Sequence, residues 1–212
     1  MKPFTPAHGG AVAVAELDLD ERMVVARIIA DVGLLLSGES FGMEIPVHED
    51  VEDEVFRHLR GLEEALADPT DPAVLRLLPN AAPTDREVAD EFRRLTEADL
   101  RSLKVARLRR MWEQLSEDGP EWEVPADEAL STAAALTDVR LVLASRLGIA
   151  TDDDAERLYE ELAFASSAMA GEDTAGSPLV NPERVWLGML YQALTYLQES
   201  LVSFMASEEP RD

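Results

Sequence analysis

Between residues 83 and 115 the chain reads PTDREVADEFRRLTEADLRSLKVARLRRMWEQL. This stretch holds Arg86, Arg93, Arg94, Arg101, Lys104, Arg107, Arg109 and Arg110, eight of the nineteen basic residues in a 212-residue protein of net charge −24. Placed at about 100° per residue, Val88, Phe92, Leu95, Leu103 and Ala106 share one side. Arg86, Arg93, Arg94, Arg101, Lys104 and Arg107 occupy an arc of about 140° beside it. The chain is therefore organised around a long basic helix, with Thr84 as its expected N-cap and Glu87 as the reciprocal partner. Beyond Leu108 the pattern drifts, since Met111, Trp112 and Leu115 fall on the basic side. Either a bend near residues 96–99 or a change of neighbours is expected there.

Further helices are read on both sides of it. Asp18 with Glu21 opens one that runs to Leu36, apolar on most sides and hence central. Arg27 and Asp31 stand four apart on it and are expected to pair. A helix is read at residues 50–67 and a short one at 73–78, where Pro72 suits the first helical position. Another follows Pro125 and ends at Leu147, with Gly148 as its stop. Thr151 and three aspartates open the next. The last starts at Asn181-Pro182, and its stripe Trp186, Leu190, Leu194, Leu197, Leu201 and Phe204 or Met205, widened by Leu187 and Tyr191, suits burial on two sides, or burial on one and self-association on the other. Residues 11–17 alternate with period two and permit a short strand, for which no partner is read. An all-α bundle of about six or seven helices is expected. It forms one domain at residues 18–207, with an N-terminal extension at 1–17 and a tail at 208–212. The turn-rich link 116–125 is the alternative boundary.

Composition narrows the function. A chain this acidic repels nucleic acid and anionic membrane alike, and is compatible with basic partners, cations or solubility alone. No cysteine is present, so thiolate chemistry and disulfides are excluded. Residues 1–10 carry no secretory pattern, and the apolar run 23–36 is shorter than the roughly twenty residues a membrane span needs. A cytoplasmic protein without membrane contact is expected.

No motif carries catalysis. Ser166, Ser167, Ser177 and Ser203 lack a nucleophile-elbow setting, and no glycine-rich phosphate cradle is present. Glu54 and His58 have the spacing of two ligands from one helix, but no second histidine-bearing helix completes a metal site. Residues 152–154 lack the alternation and glycine of a calcium loop. No cofactor or metal is expected.

The partner- or anion-binding candidates are Arg93, Arg94, Arg101, Lys104, Arg107, Asp138 and Arg140. The guanidinium groups suit an acidic partner or phosphate, yet the same groups can pair with the protein's own surplus of acids, and internal pairing carries more weight. Asp138 and Arg140, two apart on an apolar helix, face different sides. Each needs its own partner if buried. Asp138 is expected to meet a basic residue between Arg94 and Arg107, and Arg140 an acid.

Arg76-Leu77-Leu78-Pro79, then Asp90-Glu91-Phe92-Arg93-Arg94-Leu95-Thr96-Glu97 running into Asp99-Leu100-Arg101 and Lys104, resembles an actinobacterial family known by a domain-of-unknown-function number, two-zero-one-seven. Residues 136–143, Arg146-Leu147-Gly148 and residues 196–201 look like the same family. Where that family usually has Asn-Asp, this chain has Thr137-Asp138. Genes of the family tend to lie beside that of the small adaptor that delivers N-degron substrates to the Clp protease, which implies a role near regulated proteolysis. Seventeen arginines against two lysines agree with the GC-rich coding such an origin would bring.

The expected function is that of a non-enzymatic regulatory or adaptor protein, docking through the basic face and pairing with itself between Trp186 and Met205. The alternatives are a transcriptional regulator or nucleic-acid binder, and an enzyme or small-ligand binder with a polar pocket near Arg101, Lys104, Asp138 and Arg140.

Overall fold

The structure, a computed structural model, describes residues 1–38, 41, 71–79, 82, 84–170 and 181–208. The helix read at 50–67, with Glu54, His48 and His58, lies outside the described residues, as do Ser177 and the tail from residue 209. Six helices carry most of the rest: α1 (Leu19–Ser37), α2 (Pro72–Leu77), α3 (Arg86–Leu115), α4 (Ala129–Leu147), α5 (Asp152–Ala170) and α6 (Pro182–Glu208). Three short strands accompany them, β1 (Thr5–Ala7), β2 (Val12–Glu16) and β3 (Glu121–Pro125). The protein is mostly all-α, as its periodicity requires.

The strands correct two readings. Residues 11–17 do find partners: β2 pairs antiparallel with β1 on one edge and with β3 on the other, Ala13 opposite Val124 and Ala15 opposite Trp122. The N-terminal segment is thus a sheet rather than an extension, and the second half of the 116–125 link is a strand. Alternation explains the burial, since Ala13, Ala15, Trp122 and Val124 point into the core while Glu121 and Glu123 face out. Phe4 meets the Trp122 ring edge-on at 5.0 Å.

Local signals set most helix ends. Asp18 and Glu21 close a reciprocal capping box on α1, with Glu21 N–H donating to Asp18 Oδ1 at 2.8 Å and Asp18 N–H to Glu21 Oε2 at 2.9 Å. Gly38 and Gly148 take left-handed conformations, φ 70° and 71°, just past α1 and α4. Asp85, rather than Thr84, caps α3 by accepting from Val88 N–H at 3.1 Å. α4 begins three residues later than read, because Pro125 closes β3 and residues 126–128 form a turn.

α1 is the central helix, with Val25, Ile28 and Ile29 inaccessible to solvent. It packs along α3, α4 packs along α6, and the two pairs meet where α3 contacts α4. Leu108, Met111 and Leu115 of α3 and Leu194, Leu197 and Leu201 of α6 complete one core. Each such side chain contributes about 1.5–3 kcal/mol by leaving water.

Arginine stitches the helix ends together. Arg22 of α1 is buried and, among the described residues, has no acidic partner; its guanidinium donates to the carbonyls of Gln114, Leu115, Glu117 and Glu121 at 2.6–3.2 Å. It thereby caps the C-terminus of α3. Arg101 of α3 returns the contact by donating to the Leu36 carbonyl at the end of α1. Arg184 donates to the Leu147 carbonyl at the end of α4 at 2.7 Å, and Arg76 to the Ile149 carbonyl just beyond at 2.7 Å. A planar fork reaches several terminal carbonyls at once and also meets the negative end of the helix dipole.

Candidate functional site

α3 runs without interruption from Arg86 to Leu115, so the expected bend near residues 96–99 is absent. Thr96 instead donates its hydroxyl to the Phe92 carbonyl inside the helix at 2.8 Å. The drift in the pattern has another cause. Leu108, Met111 and Leu115 are buried, and at about 100° per residue they share an azimuth with Ala89, Arg93, Leu100, Arg101 and Lys104. From Leu100 onward the inward face of the helix is the basic arc, which carries the partly buried Arg101 and Lys104; Arg86, Arg93 and Arg94 on the same arc stay exposed, and Ala89 is the buried residue there.

The expected apolar face consequently points outward. Val88 is 54% exposed, Phe92 49%, Leu95 61% and Leu103 48%. A continuous helix has one azimuth. Its C-terminal half fixes that azimuth by burying three large side chains and the Arg22 cap, and the N-terminal half must follow. Residues of α3 that looked like a core stripe thus became surface, and those that looked like a solvated face became contact.

Turned inward or sideways, most of the basic side chains find acids. Arg93 and Arg101 share Glu97, at 3.3 and 2.8 Å. Arg94 grips Glu91 at 2.7 Å, Arg86 lies 3.8 Å from Asp90, and Arg110 holds Glu128 at 2.9 Å. Arg109 stands 5.2 Å from the centroid of the Phe41 ring instead. These pairs are partly exposed, and each contributes at most about 1 kcal/mol.

Lys104 and Asp138 differ, because both are removed from water. Lys104 is 14% exposed and Asp138 4%. The ammonium donates to Asp138 Oδ1, while Oδ2 has no hydrogen-bond partner. Burial raises the Asp138 carboxyl above its ordinary range; the Lys104 hydrogen bond and charge, and the nearby Arg107 charge, offset only part of that. The expected meeting of Asp138 with the basic helix is therefore present.

Arg140 corrects its expectation. Among the described residues it meets no acid: Nε donates to Thr195 Oγ1 at 2.9 Å, Nη1 to Gln198 Oε1 at 2.5 Å, and the guanidinium lies 5.3 Å from the Tyr191 ring centroid. Half-buried on the α6 side of α4, it needs only neutral acceptors and a ring face. Gln198 in turn donates to Thr137 Oγ1 at 2.6 Å, so the hydroxyl at the position where the family usually has asparagine serves as an acceptor. The candidate residues thus divide. Lys104, Arg107 and Asp138 form one cluster between α3 and α4; Arg93 and Arg101 join Glu97 along the same helix; Arg94 stands at the edge; Arg140 belongs to the α4–α6 interface.

The stripe expected to pair two copies is internal. Leu190, Leu194, Leu197, Leu201 and Phe204 are buried, and Trp186, Leu187, Tyr191 and Met205 pack against the same core. It faces α4 on one side and the sheet on another, while Met189, Tyr196 and Val202 in the same range stay about half exposed.

Two polar arrangements escaped sequence reading. One is the Arg22 cap, whose signal was an arginine without an acid three or four residues on in a strongly apolar helix. The other is Asp71, buried, which caps α2 by accepting from Ala73 N–H at 2.7 Å and holds Arg146 with both oxygens at 2.7 and 3.1 Å. An aspartate before an N1 proline is a cap signal that the run of turn residues obscured. Among the described residues, no group of three or more metal-binding side chains converges, and no helix is long and apolar enough to cross a membrane.

These elements define a mostly all-α protein with a small sheet, built on one long helix that turns Arg101 and Lys104 inward and its apolar stripe outward. The chain belongs to the family described as domain of unknown function (DUF2017), which it matches over residues 1–205. No curated protein and no solved structure matches it.

Proposed function

We propose that this chain is a non-enzymatic cytoplasmic regulatory or adaptor protein that works by helix-face contact with another protein, in the neighbourhood of Clp-dependent regulated proteolysis. One observation carries the reading: Val88, Phe92, Leu95 and Leu103 line the outer side of α3, each about half exposed. Scattered exposed side chains are ordinary, but four large ones aligned at helical spacing on one element mark an interaction surface. In this reading Arg101 and Lys104 hold the long helix to its neighbours, and docking passes to the face opposite them. The link to proteolysis rests on the genomic company that family resemblance implies.

Co-purification from the native cell tests the proposal, comparing the natural chain with the Phe92→Asp/Leu95→Asp variant. Both sites are exposed, so the variant should fold, and circular dichroism checks this. Loss of specific partners from the variant is expected; recovery of an identical set would overturn docking through α3.

A further inference from the structure

We propose that the outer face of α3 receives a basic amphipathic helix of the partner protein, an inference that rests on the docking reading above. The stripe is linear, since Val88, Phe92, Leu95 and Leu103 follow steps of four, three and eight, and such a stripe is complementary to a second helix laid along it. An open hollow of about 960 Å³ lies over its first three residues.

Charge selects the occupant. Glu87, Glu91 and Asp99 flank or interrupt the stripe, and all three are exposed. Neither Glu87 nor Asp99 forms an ion pair among the described residues. At about 100° per residue, the basic side chains from Arg86 to Lys104 lie on the other side of the helix. The two that reach the rim of the hollow, Arg86 and Arg94, are engaged by Asp90 and Glu91. The outer face is therefore apolar with the unpaired Asp99 within it and the unpaired Glu87 at its margin, on a protein of net charge −24.

A second copy would bring the same carboxylates against one another within two strongly negative bodies, and like-charge juxtaposition costs several kcal/mol. An acidic partner meets the same field. A partner helix with leucine-like residues on one side and lysine or arginine beside them fills the stripe, neutralises Glu87 and Asp99, and is steered inward by the field of the whole protein. This reverses the partner chemistry that the basic residues of α3 first imply. Arg101 and Lys104 reach inward, and the exposed Arg86 and Arg94 are held in pairs with Asp90 and Glu91, so the unpaired charge left beside the stripe is negative.

The test uses the full chain and a fluorescein-labelled leucine–lysine helix of about 18 residues, long enough for five turns. Controls are a peptide of the same composition with scrambled order and a leucine–glutamate helix. Anisotropy is read at about 0.15 M salt, where surface charges are screened beyond roughly 8 Å. The leucine–lysine helix should bind, and the scrambled peptide should bind much more weakly. Phe92→Asp/Leu95→Asp should weaken binding about tenfold or more, as removal of apolar anchors does. That direction is diagnostic, because two added carboxylates would tighten any purely electrostatic association. Glu87→Lys/Asp99→Lys should weaken it several-fold while leaving the fold intact. Equal binding of the scrambled peptide, or unchanged or tighter binding by the aspartate variant, would overturn the proposal. So would preferential binding of the leucine–glutamate helix, or concentration-dependent dimerisation lost in the aspartate variant. Those two outcomes would still leave α3 as a docking surface, whereas an unchanged set of cellular partners would remove both readings.

Discussion

Arg22 and Arg101 cap each other's helices: the first, on α1, donates to the last carbonyls of α3, and the second, on α3, donates to the Leu36 carbonyl closing α1. The exchange orients the two helices antiparallel and fixes both ends of the contact. It also sets which way α3 faces.

Arg22→Ala should therefore cost about 3 kcal/mol, since it removes several charge-assisted hydrogen bonds and strands buried carbonyls. Arg22→Lys should recover only part, because a single ammonium lacks the planar fork that spans four acceptors. Urea unfolding followed by circular dichroism measures both. A cost for Arg22→Ala below about 1 kcal/mol would contradict the capping role.

Lys104 and Asp138 make the second junction. Lys104→Met leaves a buried carboxylate without its counter-ion and should cost about 3–5 kcal/mol. Adding Asp138→Leu should recover most of the loss, as a well-packed apolar pair often does. The double-mutant cycle in urea decides. If the double variant is no more stable than Lys104→Met, the penalty comes from packing.

The raised Asp138 carboxyl gives a pH signature. A group whose folded pKa lies above its unfolded value binds more protons when folded, so its contribution to stability declines as pH rises. The decline starts near the ordinary carboxyl value, 3.8, and ends once the folded carboxyl has ionised. Asparagine does not titrate. The stability of the natural chain relative to Asp138→Asn should therefore fall across that window; a flat difference would contradict the assignment.

Gly33 of α1 lies where a Cβ would overlap the Phe41 ring, which in turn receives Arg109 on its face. In an open helix Gly→Ala stabilises by about 1 kcal/mol. Here Gly33→Ala should instead destabilise by about 1–3 kcal/mol, through overpacking. In a Phe41→Ala background the same change should become favourable, and thermal unfolding reads the sign.

Asp154 offers a local probe at the start of α5. Its carboxylate accepts from the N–H groups of Ala150 and Thr151 at 2.9 and 2.8 Å and from the Thr151 hydroxyl, which hold its pKa down to about 2. A lowered acid stabilises above its unfolded value, and that support is lost as pH falls toward about 2. Carboxyl NMR should place the Asp154 midpoint near there; an ordinary aspartate midpoint would mean the cap does not form.

Where sequence reading succeeded, the signal was local. The Asp18–Glu21 box, Gly148, the pairing of Arg27 with Asp31 at 3.1 Å and the leucine period of α6 all lie within a turn or two of chain. The Lys104–Asp138 pair was legible for another reason, since a buried aspartate on an apolar helix demands a cation and the basic helix held eight of the nineteen. β3 was missed because its partner is about a hundred residues away and turn residues precede it. The azimuth of α3 was misread because its N-terminal half has an apolar side that its C-terminal half overrules. Arg140 was assigned an acid because neutral acceptors from another helix leave no trace in local spacing.

The orientation of α3 is the claim on which docking depends, and the chain's lack of cysteine makes it directly measurable. Single variants Leu95→Cys and Ala89→Cys differ little in position along the helix but lie on opposite faces, Leu95 61% exposed and Ala89 6%. In the folded protein a maleimide should modify Leu95→Cys rapidly and Ala89→Cys far more slowly, with the two rates converging in urea. Rapid modification of Ala89→Cys together with protection of Leu95→Cys would contradict the account.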